Sequence, residues 1–106
     1  MPRVAFCLQI KRELLEEYKE RHRHVWPEMQ DALRETGWRN YSLFLRDDGL
    51  LFGYVEVENF AESTAAMART EVNARWQREM APYFESLEGQ APDAAMVPLP
   101  EVFHLA

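Results

Sequence analysis

Two runs rich in aromatic and branched apolar residues, 38–46 (Trp-Arg-Asn-Tyr-Ser-Leu-Phe-Leu-Arg) and 50–58 (Leu-Leu-Phe-Gly-Tyr-Val-Glu-Val-Glu), flank Asp47-Asp48-Gly49. Gly49 supplies the positive φ that a tight hairpin turn requires, so the two runs are expected to pair as antiparallel strands. The pairing constrains the rest of the chain. Tyr41, Leu43 and Leu45 occupy one phase of the first run and Phe44 the other; Leu51, Val55 and Val57 oppose Phe52 and Tyr54 in the second. Both faces of the resulting sheet are therefore partly apolar, and each needs a cover.

The remaining elements supply one cover. Val4, Phe6, Leu8 and Ile10 alternate with Arg3, Ala5, Cys7 and Gln9, which predicts a strand over 3–10. Lys11 to Arg23 reads as a helix with Leu14, Leu15 and Tyr18 as its apolar positions. Pro27 removes a backbone donor and biases Trp26 towards extended geometry. It can also open a second helical piece, with Glu28 facing the positive end of the dipole, that ends near Gly37. Residues 61–69 predict a short Ala-rich helix, and about 71–86 another, with Val72, Trp76, Met80 and Tyr83/Phe84 at helical spacing. Residues 87–100 hold one glycine, three prolines and no periodicity. A loop that long in a small domain usually closes over a site or embraces a partner. Glu101–Leu105 is expected to form a final strand.

Strand, helix, strand, strand, helix, strand is the split βαβ order of a ferredoxin-like α+β fold, an antiparallel sheet with helices on one face. One domain over 1–106 is expected. The helices cover one sheet face, and a second copy of the chain is the economical cover for the other, so a homodimer is expected.

Charge narrows the partners. The net charge is −6, with 12 Lys and Arg against 18 Asp and Glu. Lys11, Lys19, Arg21 and Arg23 are interleaved with Glu13, Glu16, Glu17 and Glu20, the pattern of a solvated helix face. Nucleic acid and anionic membrane are therefore not expected as partners. No apolar run approaches the ~20 residues of a membrane span, and nothing resembles a signal peptide. The one cysteine, Cys7, leaves no intrachain disulfide and fits a reducing, cytoplasmic setting.

No Cys/His/Asp/Glu set has metal-site spacing, and no glycine-rich phosphate loop or nucleophile signature is present. His22 and His24 point about 200° apart around a helix and cannot share a metal there. Tyr18 and His22, four residues apart, share one helix face. His22 can be read as a surface histidine among charged neighbours or as a general acid/base, since an imidazole titrates near neutrality. If the helix ends close to His22, its dipole would favour the protonated form. Tyr18, Tyr41 and Trp76 are each readable as core aromatics. Together with an imidazole, two phenols and an indole are also a common way to bind a sugar.

Tyr18-x3-His22 followed by Trp26-Pro27-Glu28 resembles the signature of the L-rhamnose mutarotase family. The likeness extends over the chain, through Ala5-Phe6-x-x-Gln9, Asn40-Tyr41, Arg75-Trp76-x3-Met80 and Glu101-Val102-Phe103. It implies a dimeric ferredoxin-like α/β barrel that interconverts the anomers of a pyranose without a cofactor. Carried over by position, it implies that His22 is the proton donor, that Tyr18 and Tyr41 hold the sugar, and that the pair Trp76-Gln77 closes the site. Family members often have two tryptophans at that pair; here the second is Gln77, an amide where an indole would pack. The same order of elements would also suit a cofactor-independent monooxygenase, revealed by oxygen consumption with a quinol. It would suit a non-catalytic small-ligand-binding module too, revealed by binding without anomer exchange.

Overall fold

A computed structural model describes residues 1–106. The alternating pattern of residues 3–10 becomes strand β1 (Arg3–Gln9), and the hairpin runs become β2 (Arg39–Leu45) and β3 (Leu50–Glu56). They form one antiparallel sheet in the order β1-β3-β2. The turn at 46–50 closes with Gly49 N–H donating to the Arg46 carbonyl at 2.9 Å and Arg46 N–H to the Leu50 carbonyl at 2.8 Å. Gly49 has φ +94°, and a Cβ there would lie 2.4 Å from the Ile10 carbonyl oxygen, so geometry and space both require glycine.

Four α-helices lie over one face: α1 (Leu15–His22), α2 (Pro27–Glu35), α3 (Phe60–Ala68) and α4 (Glu71–Met80). α4 packs against both α2 and α3. Phe6, Leu8 and Ile10 at the start of the chain, with Leu51, Val55 and Val57 of the second hairpin run, point into this layer and are buried. Tyr18, Met29, Trp38, Met67, Trp76, Met80, Tyr83 and Phe84 complete one continuous core. Gly53 lets the sheet backbone approach the buried Phe6 ring, because a Cβ at 53 would fall 2.2 Å from its Cζ.

Helix ends follow local chemistry. Pro27 opens α2, and Trp26 before it is extended (φ −55°, ψ 136°). Asn59 caps α3 by accepting from Glu62 N–H at 3.0 Å, and Thr70 caps α4 by accepting from Asn73 N–H at 3.3 Å. The helix expected over 71–86 stops earlier. It ends at Met80, tightens to a 3₁₀ turn over Ala81–Tyr83 around Pro82, and leaves Phe84 extended.

Phe84 forms an antiparallel bridge to Ile10. Glu85 N–H donates to the Gln9 carbonyl at 2.9 Å, and Lys11 N–H to the Tyr83 carbonyl at 2.8 Å. This short stretch stands beside β1, where the fourth strand of the expected order would lie. The strand expected at Glu101–Leu105 does not form within the chain. Those residues have no regular structure, and Val102, Phe103 and Leu105 are exposed. The free edge of β1 is already taken, by Phe84–Glu85 at one end and by Leu99 N–H donating to the Ala5 carbonyl at 2.7 Å further along.

The uncovered sheet face carries the second apolar phase. Cys7, Phe52 and Phe44 stand in one row across the three strands, with Phe44 60% and Phe52 38% exposed.

Candidate functional site

The helices and the inner sheet face enclose a cavity of about 460 Å³, within the usual span of small-molecule sites. α1 contributes Tyr18 and His22 to its wall, the hairpin contributes Trp38, Tyr41 and Leu43, and α4 contributes Asn73, Trp76, Gln77 and Met80. Spacing explains the grouping. Residues 18 and 22 are one helical turn apart, and 73, 76, 77 and 80 fall on one face of α4. In β2 the register slips by one residue between Arg39 and Ser42, with Asn40 in the left-handed region at φ +48°. This bulge lets both Trp38 and Tyr41 face inward, with ring centroids 4.9 Å apart. All five residues singled out from sequence, Tyr18, His22, Tyr41, Trp76 and Gln77, therefore line one cavity.

His22 is the last residue of α1 and is half-buried. Its ring stacks on Tyr18 at a centroid distance of 4.1 Å and meets the Trp76 indole edge-on at 5.6 Å. Trp76 is backed in turn by Trp26 at 5.0 Å, and Arg75 lies 5.5 Å over the Trp26 ring. Nδ1 of His22 lies 3.0 Å from the Tyr18 carbonyl oxygen. A carbonyl can only accept, so Nδ1 carries hydrogen and donates; Nε2 is the nitrogen left for a ligand. The helix does end at this residue, but its dipole does not set the proton affinity. Burial pushes the imidazole below its ordinary range, the Tyr18 carbonyl pulls it partly back, and neighbouring Arg21 pushes it down again. His22 is thus a weak base that releases a bound proton readily. His24 turns outward, with Nε2 3.3 Å from Glu20, and takes no part in the cavity.

The two phenols are built for neutral hydrogen bonding. Burial drives the Tyr18 hydroxyl well above the ordinary tyrosine range, with a smaller push from Tyr41. Burial does the same to Tyr41, followed by the charge of Asp93. Neither hydroxyl has a hydrogen-bond partner in the chain. Trp38 Nε1 is buried and also lacks a partner. The cavity therefore offers flat aromatic faces, unspent hydroxyls and one titrating nitrogen. That set suits a small ring bearing several hydroxyls and can move a proton on it.

Gln77 lines the cavity and is also engaged within the chain. Its Nε2 donates to Asn73 Oδ1 at 3.0 Å, and its Oε1 accepts from Asp93 N–H at 3.2 Å, so both ends serve the chain itself. Asn73 and Asp93 are not singled out by the sequence, although both line the cavity. The available signal is the placement of Asp93 in the aperiodic 87–100 loop, whose length marks it as functional. No three His, Cys, Asp or Glu side chains converge where a metal ion could be held.

Comparison with known proteins gives a consistent family. A family model described as L-rhamnose mutarotase matches residues 3–105. The L-rhamnose mutarotase of Bacillus subtilis (strain 168) is 42% identical over 106 residues, covering 99% of each chain. That of Listeria monocytogenes serovar 1/2a is 44% identical over 107 residues, covering all of both. The crystal structure of an L-rhamnose mutarotase from Formosa agariphila superposes with a TM-score of 0.80 at 29% identity over the full length of both chains. A putative antibiotic biosynthesis monooxygenase from Nitrosomonas europaea, 17% identical with a TM-score of 0.59 over 81% of this chain and 88% of its own, shares the ferredoxin-like fold.

Proposed function

The chain belongs to the L-rhamnose mutarotase family, and from that membership we infer that it is an isomerase interconverting the α and β anomers of L-rhamnose, with His22 as its proton donor. The observation that carries the role of His22 is the hydrogen bond from its Nδ1 to the Tyr18 carbonyl. It fixes the ring against Tyr18 and leaves Nε2 for a sugar in the cavity.

Ring opening needs a proton delivered to the ring oxygen as the bond from that oxygen to C1 breaks. It also needs the anomeric hydroxyl to lose its proton, so that C1 becomes an aldehyde. Rotation about C1–C2 and reclosure on the other face give the second anomer. His22 as imidazolium delivers the first proton, and the neutral imidazole recovers it on reclosure. A low proton affinity makes the imidazolium a stronger acid, at the cost of a smaller protonated fraction at neutral pH. Tyr18 and Tyr41 supply hydroxyls that the fold leaves unpaired, and Trp76 supplies an apolar wall against the C–H face of the ring. A positioned acid contributes ~10²–10⁴-fold, and this is enough for a reaction that proceeds spontaneously. The reaction leaves oxidation state unchanged and calls for no cofactor.

The homodimer expected from sequence is part of the same reading. It is supported by the exposed row Phe44, Phe52 and Cys7 on the sheet face opposite the helices, and by the exposed Val102, Phe103 and Leu105 that find no strand partner in their own chain. The lone thiol Cys7 suits the cytoplasm, and residues 1–106 act as one unit around a shared core.

The test is saturation-transfer NMR between the two anomeric protons of L-rhamnose. The protein is expected to accelerate their exchange at catalytic concentration. Sugar binding detected by calorimetry with exchange no faster than in buffer would replace the isomerase with a binding module.

A further inference from the structure

We propose that Asp93 is the second proton-transfer group of this site, the base that takes the proton from the anomeric hydroxyl while His22 protonates the ring oxygen. The proposal rests on the isomerase reading above and supplies the acceptor that reading requires.

Of the chain's 18 carboxylate side chains, Asp93 is the only one lining the cavity. It lies in a short 3₁₀ turn, Pro92–Ala95, and is half-buried without a Lys or Arg partner. Here Oδ2 accepts one hydrogen bond, from Asn73 Nδ2 at 2.9 Å, and Oδ1 accepts none from the chain.

The group is nevertheless held firmly. Asn73 is only 3% exposed, and its own oxygen accepts from Gln77 Nε2 at 3.0 Å. Gln77 Oε1 in turn accepts from the Asp93 backbone N–H at 3.2 Å. Two side chains of α4, one turn apart, thus grip both the carboxylate and the backbone of a residue on an otherwise irregular loop. Thr70 fixes the start of that helix by capping Asn73 N–H. The arrangement fixes the orientation of one carboxylate oxygen and leaves the other unengaged, as a general base requires. Asp93 and Tyr41 line the same cavity, and the carboxylate adds to the burial that raises the Tyr41 phenol. Gln77 is thereby a positioning residue, acting on the site through Asp93.

In the step, the O1–H proton passes to Oδ1 of Asp93, and the electron pair it leaves forms the C1=O1 double bond. The C1–O5 bond breaks, and O5 takes the pair together with the proton from Nε2 of His22. On reclosure Asp93 returns its proton to O1, neutral His22 removes the proton from O5, and both groups are restored.

Asp93→Asn retains the oxygen that accepts from Asn73 and removes the base. Its kcat for anomer exchange is expected to fall about 100-fold or more, with KM within about three-fold of the original chain. A kcat within about three-fold of the original overturns the proposal. Should Asp93→Asn not fold, Asp93→Ala carries the test: added formate, a small carboxylate, should restore exchange, and a folded variant that formate leaves inactive overturns the assignment. An unsubstituted protein that fails to speed exchange would defeat the isomerase reading, whereas an active one matched by Asp93→Asn defeats only the role of Asp93.

Discussion

Tyr18→Phe separates folding from ligand recognition with a single oxygen atom. The Tyr18 ring is 4% exposed and packs on His22 at 4.1 Å, on Phe84 at 5.8 Å and on Tyr83 at 6.0 Å. Phenylalanine keeps all three contacts and the backbone carbonyl that holds His22. The hydroxyl, by contrast, has no hydrogen-bond partner in the chain, so its removal breaks no bond of the fold. Stability should change by less than about 0.5 kcal/mol, or rise slightly because a poorly solvated hydroxyl is gone. If the hydroxyl bonds to the sugar, that bond is worth about 0.5–1.5 kcal/mol, which converts to a loss of roughly 2- to 12-fold in kcat/KM for L-rhamnose. The loss should fall mainly on KM, since the stacked imidazole stays in place. Urea unfolding followed by tryptophan fluorescence gives the first quantity, and NMR exchange rates over a series of sugar concentrations give the second. A stability loss above about 1 kcal/mol would mean that the hydroxyl serves the fold, and unchanged kcat and KM would remove Tyr18 from the binding surface.

The lowered proton affinity of His22 has two consequences of opposite sign. With His22 as the proposed donor, the imidazolium is the active form, and kcat/KM should fall as pH rises through an inflection below the ordinary histidine value of about 6.5. An inflection above that value would contradict the burial of the ring. Stability runs the other way: the unfolded chain takes up the proton first, so the His22 contribution is intact above the unfolded value and is lost as pH falls through the folded one. His22→Gln should flatten that part of a stability–pH curve, and an unaltered curve would show that another group sets it. On the opposite sheet face, Phe44→Glu places a carboxylate at a position 60% exposed in one chain and next to Phe52 across the sheet. Sedimentation should show a shift from dimer to monomer with helix content preserved, and an unchanged mass would locate the interface elsewhere.

What the sequence discloses, and what it hides, divides along the range of the interactions. The hairpin around Gly49, the alternation in residues 3–10 and the break at Pro27 are local effects of φ, sterics and periodicity, and each appears where the residues place it. The shared face of Tyr18 and His22 is equally local. The final strand fails because Glu101–Leu105 has strand composition, while its pairing depends on an edge already engaged by Phe84, Glu85 and Leu99. The early end of α4 at Met80 comes from Pro82, whose effect prevails over the helical spacing of Tyr83 and Phe84. Asp93 cannot be placed from sequence, because it lies 20 positions from Asn73, across a helix end and an irregular loop. For His22, the helix dipole is visible in advance, but the burial that outweighs it exists only once Trp76 and Tyr18 have packed on the ring.

The proposed role of His22 is to protonate the ring oxygen of the bound sugar. It is tested most directly by saturation transfer between the anomeric protons of L-rhamnose in the presence of His22→Ala, with sugar binding and thermal unfolding measured on the same sample. The expected result is a folded protein that still binds the sugar and whose exchange rate drops by about 100-fold or more. A folded, sugar-binding His22→Ala that exchanges the anomers as fast as the original chain would contradict it.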